Sequence, residues 1–323
     1  MIEQTTWRGQ KAVALSGDGL RLTLLPDLGA KIVSIVDQDA NEYIWQSDGE
    51  YRLPEYGSPF DTWDVSGWDE CFPTVAACTL ASGPWAGVTA PCHGEVWSLP
   101  HQVIERDGAL TTRVHGVRFP YTFERTIRPA GPAAWRLDYR VVNQAALELP
   151  YLYSAHPLLR VSPGTRLLLP NEVRWARVDN SLNHRVGALG DTLAWPRAVL
   201  PGGATVDLGE VVGAELSAGD KLYSEPPGSA GWCGLVDPVR QVVCGFRFDP
   251  AELPRVGIWQ NQGWQPGQLN VALEPCSGYP DRLDLALARG EARRLPAGGE
   301  ATWSLTFVAS PGGEARLREL LIP

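Results

Sequence analysis

The stretch Trp135-Arg-Leu-Asp-Tyr-Arg-Val141 decides the fold class, because apolar and charged residues alternate along it without interruption. A period of two places one apolar and one polar face on an extended strand. The same alternation recurs far away along the chain, at Leu20, Leu22 and Leu24, at Cys244, Phe246 and Phe248, and at Trp303, Leu305 and Phe307. We therefore predict half-buried strands of antiparallel sheets along most of the chain.

Clusters of turn-forming residues separate these stretches, for example Ser16-Gly-Asp-Gly19 and Pro296-Ala-Gly-Gly299. Only the stretch from Glu314 to Leu321 has a helical pattern, and we expect a terminal helix packed on a sheet edge. Many strands without intervening helices predict an all-β architecture with few short helices, either a large antiparallel β-sandwich or a Greek-key barrel. Because the alternation runs nearly from end to end, we expect one domain over residues 1–323.

Composition limits the possible partners. The net charge is -9, and the 28 Lys and Arg residues are scattered, so nucleic acid is not expected to bind. No leader pattern or membrane-length apolar stretch is seen, which predicts a cytoplasmic protein without a membrane partner. The six cysteines are expected to be reduced. Cys92 and His93 are neighbours that point to opposite faces of a strand, so we expect no metal there.

Aromatic residues and loops suggest where a ligand would bind. We expect segments 49–68 and 170–200 to form long loops, because they alternate weakly and are rich in Pro, Gly and Asn. Tryptophan rings can stack on the C–H face of a sugar, although a single Trp is more often a core residue. Several together favour a polar, planar ligand. Five of the thirteen lie in or beside polar segments: Trp63, Trp68, Trp97, Trp259 and Trp264.

One histidine and one carboxylate each end an apolar strand directly before a proline, as His156-Pro157 and Glu274-Pro275. Taken alone, the histidine could be structural, with both ring nitrogens bonded to the backbone, and the glutamate could face water. Taken together, His156 and Glu274 could face each other across a cleft as an acid and base pair.

Further polar residues are candidates for ligand contacts. His93 precedes a glycine that permits close approach of backbone or ligand, although it could also be a turn histidine. The adjacent carboxylates Asp69 and Glu70 suit hydrogen bonds to sugar hydroxyls or, as the alternative, a calcium ion. Asp220 and Lys221 have the pattern of an ordinary surface pair. The sequence contains no serine nucleophile elbow, P-loop or dinucleotide fingerprint.

In their order along the chain, several motifs resemble those of the aldose 1-epimerase family, the galactose mutarotases. They are Leu28-Gly-Ala-Lys-Ile-Val-Ser-Ile35, Gly67 to Thr74, His93-Gly-Glu95, Asn143, Tyr151 to Pro157 and Leu273-Glu-Pro275. The resemblance spans nearly the whole chain. It implies a single galactose mutarotase-like domain, a β-supersandwich with an open cleft that binds a monosaccharide, and catalysis without a cofactor, in a monomer or homodimer.

By the same resemblance, the reaction is the interconversion of α and β anomers of a free aldose. His156 is then the general acid, Glu274 the general base and His93 a ligand of a sugar hydroxyl. A binding aspartate falls near Asp220 by approximate spacing, and Trp259 is expected to contact the sugar. The alternatives are a non-catalytic sugar sensor, or an epimerase acting on a sugar phosphate or an oligosaccharide.

One departure from the family pattern concerns the substrate. The family usually has an arginine upstream of its first histidine, and here that neighbourhood reads Trp68-Asp69-Glu70. An acidic pair in place of a cation leaves the preferred pattern of sugar hydroxyls open. It also speaks against the phosphosugar branch of the family, which needs clustered cations to hold a phosphate.

Overall fold

Antiparallel strands make up most of the molecule, as the alternating sequence predicted. The structure is a computed structural model that describes residues 1–200 and 202–322. The first strands in chain order are β1 (Ile2–Trp7), β2 (Gln10–Ser16), β3 (Leu20–Leu25), β4 (Lys31–Asp37), β5 (Trp68–Cys71), β6 (Cys78–Thr79), β7 (Thr89–Ala90), β8 (Gln102–Arg106), β9 (Ala109–His115), β10 (Tyr121–Pro129), β11 (Ala134–Asn143), β12 (Leu149–Tyr151) and β13 (Ser154–Arg160).

The second half of the chain continues in the same manner. It contains β14 (Arg166–Leu168), β15 (Trp175–Ser181), β16 (Thr192–Ala194), β17 (Arg197–Val199), β18 (Thr205–Asp207), β19 (Ala218–Glu225), β20 (Trp232–Asp237), β21 (Val242–Phe248), β22 (Arg255–Gln262), β23 (Leu269–Cys276), β24 (Arg293–Leu295) and β25 (Glu300–Pro311), with the helices α1 (Leu283–Arg289) and α2 (Glu314–Leu321). None of the helices in the described residues is long and apolar enough to cross a membrane.

Two large sheets form a sandwich. The larger sheet has eleven strands in the order β1-β2-β3-β4-β5-β13-β23-β22-β19-β15-β16, and the smaller has eight in the order β14-β20-β21-β25-β11-β10-β9-β8. Trp68 of the larger sheet packs against Phe246 and Phe307 of the smaller, with ring centroids 5.3 and 5.8 Å apart. The predicted antiparallel β-sandwich is therefore confirmed, and its core lies between the two sheets.

The four stretches that carried the alternation all form strands, namely β3, β11, β21 and β25. In β11 the apolar side chains of Trp135, Leu137, Tyr139 and Val141 are buried, while the residues between them are more exposed. The alternation therefore reports which face of each strand meets the other sheet.

The helices differ from the prediction in two respects. Helix α2 forms where it was predicted, but it packs on the face of the smaller sheet, against β20, β21 and β25, and not on an edge. Glycines make room for it, because an added Cβ would lie 2.9 Å from Leu321 at Gly234 and 3.1 Å from Leu321 at Gly245. Helix α1 was not predicted, and its seven residues bury only Leu283 and Ala286.

The two expected loops have different outcomes. Segment 49–68 is irregular apart from a single turn of 3-10 helix at Phe60–Thr62 and the first residue of β5, so this prediction is confirmed. Segment 170–200 was predicted wrongly, since it contains β15, β16 and β17. A bulge between Val178 and Asn180 interrupts the alternation in β15, and the other two strands have three residues each.

Candidate active site

The predicted acid and base lie opposite each other on neighbouring central strands of the larger sheet. Leu158 of β13 pairs with Ala272 of β23, so His156, two residues earlier, lies opposite Glu274, two residues later. Directly opposite side chains on antiparallel strands share one face of the sheet. The His156 Nε2 atom is 3.9 Å from the Glu274 Oε1 atom. The two groups lie side by side, whereas the sequence suggested that they face each other across a cleft.

Two further charged residues extend this pair along the same face. Asp69 of β5 lies opposite His156, and the pairing of Ile32 with Trp68 places Lys31 of β4 beside Asp69. The Lys31 Nζ atom is 3.5 Å from the Asp69 carboxylate. Lys31, Asp69, His156 and Glu274 thus form a continuous line across four adjacent strands, which we call the transverse row.

Glu274 is held through one of its two oxygens. Its Oε2 atom accepts hydrogen bonds from Lys221 Nζ and, at 3.0 Å, from Ser154 Oγ. Its Oε1 atom has no hydrogen-bond partner among the described residues. Gly257, opposite Glu274 on β22, leaves room for Lys221, because an added Cβ would be 3.2 Å from Oε2 and 3.4 Å from Nζ. The carboxylate is therefore fixed, with one acceptor free on the side of His156.

Aromatic rings pack around the two histidines. Phe60 stacks on His93 with ring centroids 3.9 Å apart, and His93 meets His156 edge-on at 4.5 Å. The glycine after His93 does permit close backbone approach, since a Cβ at Gly94 would lie 2.0 Å from the carbonyl oxygen of Phe72. This contact fixes the loop that presents His93 beside the transverse row.

A cavity of about 470 Å³ opens beside the transverse row, and His156 is the residue of the row that lines it. This volume is within the range of roughly 300–1,000 Å³ that small-molecule sites occupy. Glu274 is fully buried beneath the lining residues His156 and Lys221. The lining combines histidines, aromatic rings, amides and carboxyl groups, among them Phe60, His93, His156, Lys221, Trp259, Trp264, Asn261, Gln265, Asp179 and Asp281.

The expected tryptophans divide between this cavity and the rest of the molecule. Trp259 and Trp264 line it, with ring centroids 5.1 Å apart. Trp68 is buried in the core, and Trp97 is buried with its indole N–H donated to the Cys92 carbonyl. Trp63 lies under the guanidinium of Arg52 at the surface. Two of the five rings are thus available to a ligand.

Burial changes the acid-base behaviour of the groups around the cavity. Desolvation, together with the charges of Lys221 and Lys31, lowers the pKa of His156 well below its usual value. Desolvation also lowers the pKa of His93, with His156 adding to the effect. Burial raises the pKa of Asp69 to about 7, although Lys31 opposes the shift. Burial and the neighbouring charges therefore decide together which of His156, His93 and Asp69 holds a proton.

Two neighbouring carboxyl groups, those of Asp179 and Asp281, also line the cavity. Burial and the neighbouring Asp281 raise the pKa of Asp179 to about 8. Burial likewise raises the pKa of Asp281, while Lys221 lowers it. The side chain of Tyr223 donates a hydrogen bond to Asp281. One carboxyl group of the pair therefore keeps its proton near neutral pH and can donate a hydrogen bond.

Three predicted sugar ligands do not line the cavity: Asp69, which is buried on the same face as His156, Glu70 and Asp220. Glu70 follows Asp69 on β5, so its side chain points to the opposite face, into the core between the sheets. There it accepts hydrogen bonds from Arg125, Tyr139 and Tyr153. In the described residues no group of three His, Cys, Asp or Glu side chains is arranged to hold a metal ion. The calcium site suggested as the alternative at Asp69 and Glu70 is therefore not formed, because the two side chains point to opposite faces of β5.

Asp220 also faces away from the cavity, because neighbouring residues on a strand point to opposite faces. Its neighbour Lys221 lines the cavity instead. The Asp220 carboxylate accepts hydrogen bonds from Ser181 at 2.7 Å and from Arg185. Lys221 is not a surface residue as the sequence suggested, because it is buried and bonds to Glu274. Lys221 and Tyr223 are two residues apart and therefore share a face of β19, the face on which Lys221 lies opposite Trp259. This spacing would have favoured Lys221 over Asp220.

Solved structures with the same fold are numerous, although the sequences differ widely. The galactose mutarotase related enzyme of Lactobacillus acidophilus has 18% identity and a TM-score of 0.66, covering 94% of this chain and 99% of its own. A galactose mutarotase-like protein from Lactobacillus casei ATCC 334 has 18% identity and a TM-score of 0.64, covering 93% and 100%. The Slr1438 protein from Synechocystis sp. PCC 6803 has 17% identity and a TM-score of 0.69, covering 94% and 96%.

These likenesses confirm the galactose mutarotase-like fold that the motifs predicted. Comparisons of the sequence with protein-family models and with curated proteins gave no match. The chemistry of the site therefore has to be argued from its own residues, because one fold serves many activities.

Proposed function

We propose that this protein is an aldose 1-epimerase that interconverts the α and β anomers of a free monosaccharide. The observation that carries the proposal is the Oε1 atom of Glu274, which has no hydrogen-bond partner among the described residues and lies 3.9 Å from Nε2 of His156, a residue of the cavity lining. The anomeric hydroxyl and the ring oxygen of an aldopyranose are bonded to the same carbon. An acid and a base that serve these two oxygens must therefore lie side by side.

The reaction balances with these two groups alone. Glu274 accepts the proton of the anomeric hydroxyl, the C1–O1 bond becomes a carbonyl, and the bond between C1 and the ring oxygen breaks as that oxygen takes a proton from His156. Rotation about C1–C2 exposes the other face of the aldehyde. The hydroxyl then adds to C1, its proton returns to His156, and Glu274 returns a proton to O1. Catalytic hydrogen bonds commonly shorten once substrate is bound.

The rest of the cavity suits a neutral polyhydroxylated ring. His93, Asn261 and Gln265 present polar groups, while Trp259 and Trp264 offer flat apolar faces. Lys221 contributes indirectly, because it orients the Glu274 carboxylate and leaves Oε1 free. The direct test is polarimetry of freshly dissolved α-D-glucose and α-D-galactose with and without protein. Saturable sugar binding in calorimetry without any rate enhancement would instead support a non-catalytic sensor.

The charge of the cavity leads to a prediction about sugar phosphates. In the described part of the chain, two cations line the cavity, Lys221 and Arg282, and each already contacts a carboxylate. Asp61, Asp179 and Asp281 line it as well. We therefore expect kcat/KM for glucose 6-phosphate to be roughly tenfold or more below that for glucose, because like charges meet. Glucose methylated at O6 is the control, because it adds a group at O6 without adding charge. Equal kcat/KM values for glucose 6-phosphate and glucose would contradict the prediction.

Trp264 is expected to affect binding more than turnover. Its ring lines the cavity beside Trp259, and it is 37% exposed, so a sugar can reach it. Trp264→Ala should raise KM by a few-fold, corresponding to about 0.5–1.5 kcal/mol of aromatic contact, with little change in kcat. Initial-rate polarimetry over a range of sugar concentrations separates the two constants. Trp175→Ala is the matched control, because Trp175 is 49% exposed and lies outside the cavity lining.

A further inference from the structure

We propose that Asp69 is a positioning residue for His156: its carboxylate accepts the hydrogen bond of the imidazole Nδ1–H through one water molecule and so stabilises the charged imidazole whose Nε2 proton goes to the sugar ring. This inference rests on the proposed function for its catalytic consequence. The Asp69–His156 interaction itself does not depend on that function.

The first argument is geometric. Asp69 lies directly opposite His156 on the adjacent strand, and both side chains are on the cavity face of the sheet. Side chains in such a pair have Cβ atoms about 4.5–5.5 Å apart. Because Nε2 of His156 is on the side of Glu274, the other ring nitrogen, Nδ1, is left for the neighbour on the other strand.

The second argument concerns unsatisfied hydrogen bonds. Both oxygens of Asp69 and the Nδ1 atom of His156 are buried and have no hydrogen-bond partner in the described part of the chain. Buried polar atoms are nearly always hydrogen-bonded, since an unpaired one costs about 1–3 kcal/mol. The donor and the acceptors lie on neighbouring strands, and one water molecule between them would satisfy both.

The third argument is that the hydrogen bonds of Lys31 go to Asp64 and not to Asp69. Lys31 donates hydrogen bonds to both oxygens of Asp64, at 3.0 and 2.9 Å. Its contact with Asp69 is longer, at 3.5 Å, and is not a hydrogen bond. Asp64 thus takes the hydrogen bonds of Lys31, and both oxygens of Asp69 are left without a hydrogen bond in the described residues.

The charges around His156 explain why such a partner is required. Lys31 on β4 and Lys221 on β19 disfavour the imidazolium, as does burial, and His93 approaches it from the loop after β7. The negative groups are Asp64, Asp69 and Glu274. Asp64 is bonded to Lys31, and Glu274 is bonded to Lys221. Asp69 is the remaining carboxylate, and it lies directly across from the imidazole.

The pair has a defined pH dependence. Burial lowers the pKa of His156 and raises that of Asp69 to about 7. Because interacting groups titrate as a pair, we expect the pair to release its proton near pH 7. The general acid is therefore present below this pH, and kcat falls as pH rises through it. Without the Asp69 charge, the proton depends on His156 alone, and the fall in kcat moves to lower pH.

The experiment compares Asp69→Asn with Asp64→Asn, which removes a buried carboxylate next to the same lysine. We expect Asp69→Asn to lower kcat at pH 7 about fivefold with KM unchanged, because the pair is half protonated at pH 7 and a pKa one unit lower leaves about a tenth of the acid. Asp64→Asn should lower kcat much less. Equal effects of the two substitutions on the pH profile would overturn the inference, since both would then act through Lys31.

A second measurement does not depend on activity. Nitrogen-15 NMR of the wild-type imidazoles and carbon-13 NMR of its carboxyl groups, with His156 assigned through a folded His156→Gln sample, should show His156 titrating together with the Asp69 carboxyl carbon. Independent titration of the two groups would overturn the inference. Joint titration in a protein without mutarotase activity would retain the Asp69–His156 pair and reject the proposed function.

Discussion

Glu274→Gln is expected to slow the mutarotation of α-D-glucose by about 10²- to 10⁴-fold, the usual contribution of one positioned acid or base. The amide has nearly the same shape and still accepts a hydrogen bond from Lys221, but it cannot take the anomeric proton. Lys221 also keeps its contact with Asp281 at 3.7 Å, so the fold should persist. Polarimetry gives the rate, and circular dichroism with urea unfolding confirms that the variant is folded.

The matched control is Glu42→Gln, which changes a carboxylate bonded to Ser34 and Gln46 at the margin of the larger sheet, outside the cavity. This variant should keep the wild-type rate. Undiminished activity of the Glu274 variant would reject Glu274 as the base. Combining it with His156→Ala distinguishes a pair from two separate groups, because residues that act as a unit lose little more when both are removed.

The architecture could be predicted because its signal is local. Alternation along β11 or β25 depends only on which side of one strand faces the core. The neighbours of β13 in the sheet are set differently, since β5 and β23 lie far from it in the sequence. The transverse row depends on that lateral order and on register. Neither follows from the pattern of a single strand, so the side-by-side placement of His156 and Glu274 could not be read from the sequence.

The wrong assignments at the site have one physical cause. Asp69 with Glu70, and Asp220 with Lys221, are adjacent on strands, so one member of each pair faces the cavity and the other faces away. The sequence analysis treated both acids of the first pair as ligands and chose the aspartate of the second. Residues two apart on a strand share a face, so Glu70 lies with the core residue Trp68, and Lys221 lies with Tyr223. This rule would have corrected both assignments. Phe60 carried no such signal, because it lies in an irregular segment.

Glu70 lies in the core between the two sheets, whereas Asp69 lies on the other face of β5, opposite His156. Its carboxylate accepts hydrogen bonds from Arg125 at 2.9 Å and from Tyr139 and Tyr153 at 2.8 Å. Arg125 belongs to the smaller sheet and also donates to the Ala30 carbonyl of the larger one. The ion pair therefore joins the two sheets inside the core, where both partners are almost completely shielded from solvent.

Glu70→Ala should consequently lower the free energy of unfolding by about 3–5 kcal/mol, because a buried guanidinium is left without its carboxylate. Urea unfolding followed by tryptophan fluorescence measures the change, and the folded fraction should keep a mutarotation rate within a few-fold of wild type. Replacing both Glu70 and Arg125 by methionine should restore much of the stability, since the unpaired charge is then removed as well. A large loss of rate at unchanged stability would instead place Glu70 in the catalytic site. The same substitution thus separates the two faces of β5, because Glu70 on one face joins the sheets and Asp69 on the other lies opposite the proposed acid, His156.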